Sequence, residues 1–248
     1  MHGVPTSSLL YRNCMGPLAD AGVRALAPDL PGYGASEHID HDLSVDAHLD
    51  WLEALLDDLA CGPVHVAGVD LGGLLAVGLT LRGRTRSLSL TSTAIGPGWM
   101  PAQLTAMPGL ELFFYRLYGG RLWLRQGVAP ERVPALLALH SPRLESDPQF
   151  TERMRRTALA FSWRHWARWP QALAASPVPK QLIWGSEDRF FRPWVAQRIA
   201  ASLGCPLHWV QGGRHHLPFG RPTAWTQQVL ALIRDLPASE VTRAQTTP

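Results

Sequence analysis

Lysine is almost missing from this 248-residue chain: Lys180 is the only one, although lysine and arginine together number 23 against 20 acidic residues. The formal net charge is only +3, and the pI near 9.0 comes from scattered arginines with no basic block, so nucleic acid is not an expected partner. Cysteine is scarce too. Cys14, Cys61 and Cys205 are odd in number and far apart, which argues against a disulfide framework or a paired-cysteine zinc site and fits a reducing cytoplasm. No His/Asp/Glu cluster has ligand spacing, so no metal is expected. Long apolar runs are lacking: none approaches the roughly 18 residues of a membrane span, and the N-terminus has no basic region followed by an apolar core. The expectation is a soluble protein without a membrane partner. Internal repeats and low-complexity tracts are absent as well, and no motif here encodes a subunit count.

What is present is enough apolar material, 46% of residues, for one full core. Short apolar or alternating runs that end in turn signals read as strands at Val23 to Pro28, Val64 to Ala67, Ser87 to Thr91, Gln181 to Trp184 and Leu207 to Val210. Helical periodicity lies between them, at Asp46 to Leu59, Leu74 to Leu81, Trp194 to Leu203 and Trp225 to Leu236. Alternating strands and helices predict an α/β fold with a mostly parallel sheet covered on both faces. Residues 96–178 break that rhythm, carrying helix-like pieces at Leu110 to Tyr118, Glu131 to Leu139 and Gln149 to Phe161. They are expected to form a helical cap inserted into a core of residues 1–95 and 179–237. The cap supplies many aromatics, most of which serve to pack it onto the core. Residues 238–248 are polar and aperiodic, a disordered tail.

One turn carries the chemistry. The apolar run Val64-His65-Val66-Ala67 passes through Gly68-Val69-Asp70-Leu71-Gly72-Gly73 into helix-favouring Leu74-Leu75-Ala76-Val77. Glycines two before and two after the central residue remove side chains that would clash in a sharp strand-to-helix turn, and such a turn lifts the central side chain into a site. Asp70 is therefore the candidate nucleophile. A serine attacking a saturated carbon would leave an ether that water cannot remove; a carboxylate leaves an ester that water can. The electrophile is then an alkyl carbon. Further along, Gly185-Ser186-Glu187-Asp188 ends a strand and places an acid at the top of the sheet, Asp188 favoured and Glu187 the alternative. The loop Gly212-Gly213-Arg214-His215-His216 follows the last strand and offers a base, His215 favoured and His216 in reserve. Nucleophile, acid and histidine occur in the chain order of α/β-hydrolases. The opening His2-Gly3 turn can aim the Val4 N–H at the elbow, and the Leu71 N–H is the second backbone donor of an oxyanion hole.

Taken with Pro28-Asp29-Leu30-Pro31-Gly32-Tyr33-Gly34-x-Ser36, these segments resemble the α/β-hydrolase superfamily from Met1 to Leu236. The aspartate elbow and the Pro5-Thr6-Ser7-Ser8-x-x-Tyr11-Arg12-Asn13 run resemble its haloalkane dehalogenase and epoxide hydrolase branch. The resemblance implies a cofactor-free hydrolase of small apolar organic substrates. Asp70 forms an alkyl-enzyme ester, and water activated by His215, which Asp188 orients, cleaves it.

The chain departs from that branch in three places. Haloalkane dehalogenases commonly place Trp after the nucleophile and often Asn after His-Gly to receive the halide; here those positions are Leu71 and Val4, leaving cap tryptophans such as Trp99, Trp123, Trp163 or Trp166 as candidates. Epoxide hydrolases protonate the epoxide oxygen with tyrosines from separate cap segments, whereas Tyr115 and Tyr118, the only cap tyrosines, share one predicted helix face. Superfamily members also have strands before the His-Gly turn, so the first strands are expected upstream in a longer reading frame. The sequence reading is haloalkane-dehalogenase-like hydrolysis, with epoxide hydrolysis and a non-catalytic ligand-binding relative as the alternatives.

Overall fold

A computed structural model of the protein describes residues 1–36, 43–95, 121–146 and 163–236. Its strands are β1 (Val64–Val69), β2 (Thr85–Thr91), β3 (Lys180–Gly185) and β4 (Leu207–Val210). They form a parallel sheet in the order β1-β2-β3-β4. The helices, in chain order, are α1 (Arg12–Asp20), α2 (Val45–Asp58), α3 (Leu71–Leu81), α4 (Arg121–Gly127) and α5 (Val133–Ser146). They continue with α6 (Trp163–Ala175), α7 (Pro193–Leu203), the single turn α8 (Leu217–Gly220) and α9 (Pro222–Arg234).

Local chemistry sets several of these bounds. Ser44 caps α2 by accepting the Ala47 N–H, Asp46 sits in the positive first turn, and Leu49, Leu52 and Leu56 form its buried stripe. Pro193 opens α7, and Gly204, at φ 60, closes it in the left-handed region. The sheet divides the core. Val66, Leu88, Leu90, Leu182 and Trp184 face one apolar cluster with α2, α3 and α7, while Val69, Ile183 and Val210 face another with α1, α8 and α9. The switch from Leu182 to Ile183 to Trp184 is the two-residue period of a strand buried on both sides. Lys180 starts β3, at the amino end of the sheet, with its Nζ donating to the Ser176 carbonyl at 2.8 Å.

The expected strand at Val23 to Pro28 does not form. Val23, Ala25 and Ala27 do pack on the second cluster while Leu26 points outward, but among the described residues no strand lies alongside to complete a ladder. Hydrophobic alternation fixes which side chains turn inward; a strand also needs a neighbour's hydrogen bonds. Among the described residues no strand pairs with the outer edge of β1. Instead Met1 supplies a rung there, its carbonyl accepting the Val69 N–H at 3.1 Å and its nitrogen donating to the Ala67 carbonyl at 2.6 Å. His65 and Ala67, which share that edge, are half-buried.

Between β2 and β3 the described residues are mainly helical, with no strand. Leu124, Val128 and Leu136 from this region join the second cluster, and Leu173 joins the first. Glu131 to Leu139 fall on a 3-10 turn (Pro130–Arg132) and the start of α5, while the expected helices at Leu110 to Tyr118 and Gln149 to Phe161, and the tail at 238–248, lie outside the described residues. Among the described residues no helix is long and apolar enough to cross a membrane.

Candidate active site

The elbow is built as its glycines suggest. Asp70 has φ 55 and ψ −121, a conformation that a non-glycine residue keeps only where its surroundings enforce it. Those surroundings are visible. The Asp70 N–H donates to the Thr91 and Ser92 carbonyls, and its own carbonyl accepts from Gly73 N–H and from Thr93 Oγ1 at 2.7 Å. A Cβ on Gly68 would stand 2.2 Å from the Gly72 carbonyl oxygen, and one on Gly72 would stand 2.2 Å from that of Met1. Close backbone approach, with no tolerance for a methyl, is what holds the carboxylate at the carboxyl end of β1.

The opening turn comes down onto that carboxylate. The Val4 N–H donates to Asp70 Oδ1 at 3.0 Å, and a Cβ on Gly3 would lie 2.4 Å from Asp70 Cβ. His2 and Asp29 hold this turn. Nε2 of His2 accepts the Leu30 N–H at 3.0 Å, which leaves Nδ1 as the donor to the Gly3 carbonyl, and burial pulls the imidazole pKa down to about 4. Asp29 accepts the Ser8 N–H at 2.6 Å and the Ala35 N–H at 2.7 Å. Burial alone would raise its pKa, but those bonds, with Ala35 first, hold it below the ordinary value. Gly34, at φ 57, lets the chain curl around the Asp29 carboxylate, where a Cβ would sit 2.2 Å from Cγ. The Asp29 to Ser36 motif is thus a clamp for the opening turn.

His215 approaches from the other side, fully buried. Its Nε2 stands 3.6 Å from Asp70 Oδ2 and its Nδ1 3.3 Å from Asp188 Oδ2. Asp188 Oδ1 accepts the Phe190 and Phe191 N–H groups at 2.8 and 3.0 Å, which fixes the acid. The ring of Phe191 stacks on the imidazole at 5.5 Å, and that of Phe190 meets it edge-on at 4.9 Å. Burial lowers the His215 pKa, but the charge and hydrogen bond of Asp188, followed by those of Asp70, outweigh it and raise the pKa to about 9. The loops bearing acid and histidine are sewn together: Ser186 Oγ accepts the Gly212 N–H, the Glu187 N–H donates to the Gly213 carbonyl, and a Cβ on Gly185 would meet that carbonyl at 2.3 Å.

Asp70, Asp188, His215 and Val4 are therefore brought together. The Leu71 N–H heads α3 beside them without a bond to the carboxylate, and the Leu71 side chain is buried in the apolar core. Glu187 is exposed and turns away to an ion pair with the largely buried Arg214 at 3.6 Å, so it does not stand where the alternative acid would have to. His216 makes no contact with Asp70: its backbone N–H donates to the Gly127 carbonyl, and its ring lies between that of His215 and the end of α4. Trp123, Trp163 and Trp166 lie on α4 and α6, where the structure describes the backbone but not these side chains; Trp99, Tyr115 and Tyr118 lie outside the described residues. Two features escaped the sequence reading. The Phe190-Phe191 support of His215 had a legible signal, two aromatics directly after a strand-end acid, whereas Thr93 had none. Among the described residues no cluster of three His, Cys, Asp or Glu could hold a metal ion.

A parallel sheet with an aspartate elbow, a strand-end acid and a histidine loop defines an α/β-hydrolase. Residues 1–228 match the family model described as "Alpha/beta hydrolase family". The chain belongs to this family and, within it, to the haloalkane dehalogenase branch. A haloalkane dehalogenase of Mesorhizobium japonicum is 41% identical over 244 residues, covering 88% of this chain and 77% of that protein. Another, from Mycolicibacterium paratuberculosis, is 40% identical over 79 residues, a stretch that spans 31% of this chain and only 26% of that relative. The crystal structure of an ancestral haloalkane dehalogenase superposes with a TM-score of 0.77 at 27% identity, covering 94% of this chain and 89% of that one.

Proposed function

We propose that the protein is a hydrolase of haloalkanes in which Asp70 is the nucleophile. The observation that carries this reading is the division of the Asp70 carboxylate: Oδ1 is held by the Val4 N–H while Oδ2 faces His215. The oxygen on the amide becomes the ester carbonyl, and Oδ2 attacks. The Oδ2–carbon bond forms as the carbon–halogen bond breaks, and halide leaves with the bonding pair. Esterification removes the Asp70 charge, one of the groups that raise the His215 pKa, so the imidazole becomes a better base once the ester exists. It then takes a proton from water, whose oxygen adds to Cγ of Asp70. The oxyanion that develops on Oδ1 is held by Val4 and Leu71 N–H groups. Collapse releases the alcohol, restores the carboxylate and leaves one proton to be shed from His215. The names of the relatives favour halide over other leaving groups.

The test is a single turnover of a bromoalkane in heavy-oxygen water. The label should enter the Asp70 carboxylate and be missing from the first-turnover alcohol; label in that alcohol excludes the covalent route. Asp70→Asn should lose halide release.

A further inference from the structure

In-line displacement drives the halide away from Oδ2, so its donor must lie across the substrate carbon from Asp70, where the Val4 N–H on Oδ1 cannot reach. The residue beside the nucleophile offers nothing there, since the Leu71 side chain is apolar and buried in the core. His216 is the unexplained group nearby. Its side chain is 1% exposed, and among the described residues neither ring nitrogen has a hydrogen-bond partner. Its ring meets that of His215 at 4.9 Å, one ring beyond the imidazole that faces Oδ2. A missing side chain makes room for it: a Cβ on Gly127 would stand 2.1 Å from Cδ2 of His216. A buried imidazole with both nitrogens idle is costly to keep as mere filling, and phenylalanine would fill the same space without that cost. Resting on the dehalogenase reading, we propose that His216 is the leaving-group donor, presenting a ring N–H to the departing halide.

Burial, then the charges of His215 and His140, push the His216 pKa well below its ordinary value. A neutral imidazole keeps one N–H, which it can give to an anion without surrendering the proton. The cationic His215 beside it adds attraction for that anion. His140 of α5 is close enough for its charge to act on both His2 and His216, which places a third imidazole on the cap side of the same region.

The test uses the full chain, with 1-chlorohexane and 1-bromohexane as substrates and sodium bromide as the anion probe. A leaving-group donor matters most for the poorer leaving group. His216→Phe should therefore widen the bromo-to-chloro ratio of kcat/KM on the order of tenfold. His216→Gln, which keeps an N–H, should restore the ratio to within about threefold of wild type on the same energetic scale. At equal sodium bromide concentration, the rise in melting temperature should be larger for wild type and His216→Gln than for His216→Phe. An unchanged ratio together with equal bromide stabilisation in all three proteins overturns the proposal and assigns the halide to another donor. If wild type releases no halide from either substrate, the dehalogenase reading fails, and the bromide comparison alone still supports or overturns the anion site. Should His216→Phe not fold, bromide titration of ¹⁵N-histidine-labelled wild type decides: movement of the His216 ring resonance supports the proposal, and a resonance unmoved at saturating bromide overturns it.

Discussion

A single methyl separates Gly3 from alanine, and at this position it would be driven into the Asp70 side chain, 2.4 Å from Cβ and 2.7 Å from Oδ1. The turn would have to retreat, taking the Val4 N–H with it. Gly3→Ala should therefore lower kcat on the order of a hundredfold, as loss of an oxyanion donor does, while circular dichroism shows the fold retained. His215→Gln tests a different step. Alkylation needs only the carboxylate, so this variant should accumulate an adduct of alkyl mass on the peptide bearing Asp70, visible by intact-protein mass spectrometry; steady turnover without an adduct would remove His215 from its role. In wild type the same division predicts a pH split. Ester formation should be flat from pH 6 to 8 by rapid quench, whereas ester hydrolysis should rise with pH as the imidazole loses its proton, with a midpoint below about 9 because the esterified Asp70 no longer raises the His215 pKa. The grouping of these residues was legible because its signals are local in sequence: the glycine pair marks the elbow, and a strand-end acid and a following histidine occur in a fixed order. The choice of His215 over His216 was a weaker inference, since adjacent residues in a loop differ only in direction.

At the scale of elements, the least obvious device is the clamp around Asp29. Its carboxylate joins the Ser8 N–H at the start of a short 3-10 helix to the Ala35 N–H, and the Ser36 hydroxyl closes back on the Asp29 carbonyl at 2.6 Å. Asp29→Ala leaves both amides without their acceptor and frees the turn that carries Val4. The expected cost is about 2 kcal/mol, read as a lower urea midpoint at unchanged slope. A fall in kcat larger than the rise in KM should accompany it, because the Val4 N–H gains strength as charge develops on Oδ1. In the sequence this motif contributed only to the family resemblance, and its mechanical role needed coordinates, since no spacing rule links Asp29 to Ser8. Four of the five expected strands and the main helices of the core were read correctly, because their periodicity coincides with burial on one or both faces. The run at Val23 to Pro28 shows the limit of that reading: its inward alanines are real, but periodicity carries no information about whether a partner strand stands beside it.

The molecule as a whole holds imidazoles whose pKa values diverge, and its stability should record both directions. His215, raised from its ordinary 6.5 to about 9, binds a proton more tightly folded than unfolded; its contribution is complete below pH 6.5 and is lost as pH rises through 9. His2, lowered from 6.5 to about 4, does the reverse. Its contribution is complete above pH 6.5 and is lost as pH falls through 4. Each limb is worth about 3 kcal/mol at most, and the buried Met1 amine, lowered from 8.0 to about 5, loses its contribution as pH falls below 8, so the melting temperature should fall below pH 6.5 and again above pH 8. His215→Gln should flatten the alkaline limb between pH 7 and 9 and leave the acid limb in place. A wild-type curve that rises steadily from pH 6.5 to 9 would contradict this account.

The position of the lone lysine has a practical consequence for handling the protein. Lys180 stands at the amino end of β3, while Asp70, Asp188 and His215 follow the carboxyl ends of their strands, so a six-residue strand of about 20 Å separates this side-chain amine from the candidate catalytic groups. Coupling through lysine side chains to a resin or sensor surface can therefore take hold at one point, and it turns every molecule the same way, with the end that carries the proposed site facing the liquid.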